Sequence, residues 1–136
     1  MKARCGARFI FWGCVRIDGV DREGLRHGID LFNRGEFFDA HEVLEGVWRG
    51  APGDEKKFLQ GLIQAAVAFH HHSTGNHVGA RSLLARSARN LTGYPENFAG
   101  IKLASLLELL ARWQNALDDG SAMPASPQIE RTGQDP

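Results

Sequence analysis

The sequence predicts an all-α protein: a single compact bundle of about five helices, arranged as two antiparallel helical hairpins and a closing helix. Two observations predict it. Apolar residues recur with helical period from residue 21 to about residue 118, and glycines and prolines interrupt that period at helix-sized distances. A third observation bounds the count: 136 residues with 43% apolar composition suffice for one buried core and are too few for two comfortable ones.

Asp21 can cap a first helix running to about Arg34, with Leu25, Ile29 and Phe32 on one stripe, and Gly35 breaks it. A second helix over residues 36–49 places Phe37, Ala40, Val43, Leu44, Val47 and Trp48 together and stops before Gly50, Pro52 and Gly53. Asp54 opens a long third helix to about Ser73. Its apolar residues, from Phe58 to Phe69, cover most of the circumference, which is the pattern of a central helix. A fourth, over residues 76–91, turns Leu83, Leu84 and Leu91 inward and Arg81, Arg86 and Arg89 outward. Gly93 and Pro95 end it. A fifth runs over residues 100–117 with Leu103, Leu106, Leu110 and Trp113 as its stripe.

Residues 1–20 are basic and aromatic without helical period and read as an N-terminal extension; residues 21–118 carry the fold. Residues 119–136 hold three prolines and two glycines, with Met123 and Ile129 as their only large apolar residues, the composition of a disordered tail.

One internal similarity stands out: a glycine turn, a helix start and an alanine recur at Gly35 to Ala40 and Gly75 to Ala80, followed by Val43-Leu44 and Leu83-Leu84. The pattern resembles tetratricopeptide hairpins, where small residues let antiparallel helices approach closely. Two unrelated hairpins obeying the same steric rule would produce it too.

Sixteen basic and sixteen acidic residues cancel, so no global field draws the chain to nucleic acid or to an anionic membrane. Arg81, Arg86 and Arg89 lack the aromatic platforms that RNA binding needs. The apolar run from Phe9 to Val15 is far shorter than the roughly 20 residues a bilayer span requires. It also lacks the cleavage pattern of an exported chain. Cys5 and Cys14 have no zinc-site spacing and read as reduced thiols, so the expected location is the cytoplasm. Neither a nucleic-acid nor a membrane partner is expected.

The chemistry-bearing residues lie on the second and third helices. His41 and Glu45 are four apart, about 6 Å between Cβ atoms, while Glu42 points about 100° away. Gln60 and Gln64 recur on the third helix with His71 further along the same line, and buried amides need partners because an unpaired one costs about 1–3 kcal/mol. His41 and Glu45 are the expected partners, giving a polar cluster of His41, Glu45, Gln60 and Gln64 between the two helices with His71 at its open end. Such a cluster can be a register-setting buried network, a pocket for a small polar ligand or peptide, or a divalent metal site with His41, Glu45 and His71 as candidate ligands. Two donors are too few for a metal, and Glu45 stands where the metalloprotease helix needs its second histidine. The consecutive His70, His71 and His72 fan out by about 100° each and cannot share one ion. No serine elbow, cysteine nucleophile or phosphate-cradling glycine loop accompanies the cluster.

The stretch LFNRGEFFDAHEVLE over residues 31–45, then Trp48-Arg49, QGLIQAA over residues 60–66 and Gly79-Ala80 to Leu84 resemble a family of small bacterial helical proteins, domain of unknown function 309. The resemblance covers about residues 22–110. It implies an all-helical fold and a polar set falling on His41, Glu42, Glu45, Gln60 and Gln64, and it implies no reaction. The expected role is a non-enzymatic ligand- or peptide-binding or scaffold module using those five residues. The alternative is a metal-assisted hydrolase with His41 and Glu45 as ligands and Glu42 as base, which requires a third donor such as His70 or His71.

Overall fold

Arg34 and Thr74 both sit at the end of a helix, and the glycine that follows each one has the left-handed backbone that ends a helix cleanly: φ is 84° at Gly35 and 88° at Gly75. The hydrogen bonds repeat. Glu36 N–H donates to Leu31 O and Gly35 N–H to Phe32 O, as Asn76 N–H donates to His71 O and Gly75 N–H to His72 O. The computed structural model, which describes residues 21–132, thus closes both hairpins with the same C-terminal motif. The internal similarity read from the sequence is a real steric repeat, with Ala40 and Ala80 both buried.

Five α-helices follow in order: α1 (Arg22–Asn33), α2 (Phe37–Arg49), α3 (Gly53–Ser73), α4 (His77–Leu91) and α5 (Leu103–Asp119). The all-α expectation holds. Asp21 accepts the Gly24 N–H at the start of α1, and Asn76 does the same for Gly79 in α4. Consecutive helices pack on one another along the chain, and the short links over residues 34–36, 50–52 and 74–76 force antiparallel neighbours. Helix α3 is flanked by α2 on one side and α4 on the other. Close approach is built in on both hairpins: a Cβ on Gly28 would stand 2.6 Å from Leu44 Cδ2, and one on Gly61 2.7 Å from Leu91 Cγ.

Two aromatic groups sit at the two ends of α3. Phe69 contacts Phe32, Phe37 and Trp113, joining α3 to α1, α2 and α5. Phe58 contacts Tyr94 and Phe98 in the segment between α4 and α5, and the Tyr94 hydroxyl donates to Asp54 O at 2.7 Å. The fifth helix begins at Leu103 and not at residue 100, because a short 3₁₀ turn, Phe98–Gly100, intervenes, with φ of 55° at Ala99 and 76° at Gly100.

The expectation of a disordered C-terminal tail is corrected by the same structure. Residues 127–132 return to the bundle, and Ile129 is only 2% exposed. The Asn33 side-chain amide grips its backbone from both sides, donating to Ile129 O at 3.0 Å and accepting from Ile129 N–H at 2.7 Å. Lys102 N–H donates to Glu130 O and Thr132 N–H to Gly100 O, which sets an antiparallel bridge between Ile101 and Arg131. A single apolar side chain, held by one amide and two backbone bonds, outweighs the polar composition around it. The N-terminal extension, with Cys5, Cys14 and the run from Phe9 to Val15, lies outside the described residues. No helix of the described residues is long and apolar enough to cross a membrane.

Candidate functional site

Helix α2 buries Ala40, Leu44 and Val47, and at about 100° per residue this turns Phe38, His41, Glu45 and Trp48 toward one edge of the helix. That edge faces α3: the Phe38 ring lies 5.4 Å from the His70 ring, and Lys56 Nζ lies 4.1 Å above the Trp48 ring. The Lys56 ammonium also donates to the Trp48 and Arg49 carbonyls, satisfying the C-terminal end of α2 with a favourable charge.

Within this seam His41 is half-buried. Its Nε2 stands 3.8 Å from Glu45 Oε1, and the same oxygen stands 3.7 Å from Arg49 Nη2. Both separations exceed hydrogen-bond length, so Glu45 is shared loosely between the His41 imidazole and the Arg49 guanidinium along α2. The Phe38 ring, 50% exposed, lies 5.6 Å from the imidazole. His41 Nδ1 and Trp48 Nε1 are both buried with no hydrogen-bond partner among the described residues. A buried polar atom without a partner costs about 1–3 kcal/mol, and the seam carries two.

The five residues singled out by the sequence do not converge as expected. Glu42 is exposed on the outer face of α2. Gln60 is exposed too, so its amide needs no partner inside the protein. Gln64 is about 40° round the helix from Gln60, which aims it at α4, where its Oε1 accepts from Asn90 Nδ2 at 2.7 Å. Helical period alone pairs both glutamines with α2, because it does not show that α3 has a neighbour on each side. His71 lies in the last turn of α3, with Nδ1 3.4 Å from Asn76 Nδ2. Of the expected cluster only His41 and Glu45 face each other.

The residues that complete the seam are Phe38, Trp48 and His70. Phe38 carried one signal: it is an aromatic residue one position off the apolar stripe of an otherwise regular helix. The donor set for a divalent metal does not fit, since no three His, Cys, Asp or Glu side chains converge among the described residues. Neither His70 nor His71 supplies the third ligand that the hydrolase alternative requires. A second histidine-aromatic contact lies at the far side of α3, where the His72 ring is 5.1 Å from both Trp113 and His77. Burial, and then the neighbouring His77, push the His72 imidazole below its ordinary range.

A small helical bundle with a polar and aromatic seam along α2 and α3 is thus the class that the geometry defines. Residues 25–83 match the model of the family described as "Domain of unknown function (DUF309)". The matched span runs from α1 into α4 and contains the whole seam. The chain is similar to an uncharacterised protein of Aquifex aeolicus, with 35% identity over 94 residues, 67% of this chain and 28% of the relative. It is also similar to the uncharacterised protein YpuF of Bacillus subtilis, with 34% identity over 90 residues, 64% of this chain and 52% of the relative. The chain therefore spans between about a quarter and a half of the length of these relatives.

Proposed function

We propose that the protein is a non-enzymatic binding module and that the α2/α3 seam receives a peptide segment of another protein. The observation that carries this reading is the buried, unpartnered Nδ1 of His41 beside the half-exposed ring of Phe38. An apolar side chain of a peptide can cover Phe38, and a turn of the half-buried imidazole would bring Nδ1 to a backbone group of the same peptide. The Trp48 indole N–H, two helical turns along, is a second buried group without a partner, in line with the first. Glu42 and Glu45 stand at the rim, where a carboxylate selects the charge of an incoming chain more than it adds affinity. Glu42 is thus a recognition residue in this reading and not a general base.

The test is a selection of peptides displayed on phage, run in parallel against the protein and against the double variant Phe38→Ala/His41→Leu. The expected result is a sequence family enriched on the protein and lost on the variant. Enrichment of the same sequences on both would place any binding elsewhere and overturn the proposal.

A further inference from the structure

Three arginines from two distant parts of the chain line one small pocket. Arg22 and Arg26 are four apart on α1, hence on one face, above the buried Leu25 and Ile29. Arg131 arrives from the C-terminal segment, positioned by its bridge to Ile101. The left-handed Ala99 and Gly100 close the remaining side. The pocket has a volume of about 50 Å³. That exceeds the roughly 10–15 Å³ that one water needs and falls far short of the roughly 300–1,000 Å³ of drug-sized sites, so it suits a small ion.

The electrostatics favour an anion. Like charges four apart on a helix repel, and a third guanidinium at the same pocket adds to that cost. Asp30 approaches Arg131, with Oδ1 4.0 Å from Nη2, while Arg22 and Arg26 bring two further guanidinium groups to the pocket. Asp21 is engaged with the Gly24 N–H, so the start of α1 is already capped and the pocket is a site of guanidinium groups and not of a bare helix terminus. Neither Arg22 nor Arg26 is ion-paired among the described residues. Planar guanidinium forks match the oxygens of tetrahedral oxyanions better than point-charge ammonium groups do. We infer that this pocket binds a phosphate group, as the free ion or as the phosphoryl end of a larger molecule, with Arg22, Arg26 and Arg131 as its ligands. It is separate from the α2/α3 seam. A bound phosphate would tie α1, the turn before α5 and the C-terminal segment together.

The experiment is a titration of the full chain with inorganic phosphate and, separately, with methyl phosphate, against sodium chloride at matched ionic strength, followed by ¹H–¹⁵N spectra. Saturable shifts of the Gly100 and Arg131 amides and of the Arg26 Nε–H are expected with phosphate and not with chloride. In Arg22→Gln/Arg26→Gln the dissociation constant should rise about a hundredfold or more, since each of the two charged hydrogen bonds lost is worth at least about tenfold. Arg26→Lys, which keeps the charge and loses the fork, should weaken binding by less and guards against a folding defect in the double variant. Saturation by both phosphates assigns a phosphoryl site, and by inorganic phosphate alone a site for the free ion; both support the inference. Shifts that chloride reproduces, or an unchanged dissociation constant in the double glutamine variant, would overturn it.

Discussion

Phe69→Ala is expected to remove about 3–5 kcal/mol of stability. The Phe69 ring is 5.7 Å from Phe32, 5.6 Å from Phe37 and 5.0 Å from Trp113, so its loss opens a cavity where α1, α2, α3 and α5 meet. Because those rings sit on four different helices, the surroundings cannot collapse into the space without moving backbone, and the cavity cost stays high. Urea denaturation checks it: the midpoint should fall with the slope unchanged. A loss below about 1 kcal/mol, the size of a surface effect, would show that the four rings do not share one core.

Ile129→Ala is expected to cost about 2–5 kcal/mol, the range for a fully buried isoleucine. The position lies in a segment whose composition argues for disorder, so the prediction separates the two readings sharply. Met123→Ala in the same segment is the internal control: Met123 is 39% exposed, and its truncation should stay within about 0.5 kcal/mol. Equal, small effects from both substitutions in a thermal or urea melt would return residues 120–132 to the status of a tail.

These two positions mark what the sequence could and could not reveal. Phe69 falls on the helical stripe of α3, and its burial follows from periodicity alone. Both hairpin turns were equally legible, because only a glycine takes the positive φ at residues 35 and 75 without strain. Ile129 was hidden because its anchor is not a pattern: a single isoleucine among prolines and polar residues is held by Asn33, some hundred positions earlier. Ala99 was hidden for a related reason, since a left-handed alanine leaves no mark in composition.

The site was legible in half. His41 and Glu45 meet because four residues is a local spacing, fixed by the helix itself. Gln64 and Asn90 meet because of how α3 and α4 are rotated on each other, and that depends on Gly61 admitting Leu91. Periodicity places a residue on a face of its own helix and says nothing about which neighbour covers that face. The exposure of Gln60 and the place of Phe38 in the seam follow from the same packing.

If His41 is kept for binding and not for architecture, the stability of His41→Leu shows it most directly. Leucine fills a similar volume and removes a buried imidazole nitrogen that has no partner among the described residues. Residues retained for function at a stability cost are expected to stabilise when replaced in this way. His41→Leu is expected to unfold in urea at the same midpoint as the parent or at a higher one, by up to about 1 kcal/mol in stability. A destabilisation of about 1 kcal/mol or more, with a parent-like slope, would contradict it and make His41 part of the packing between α2 and α3.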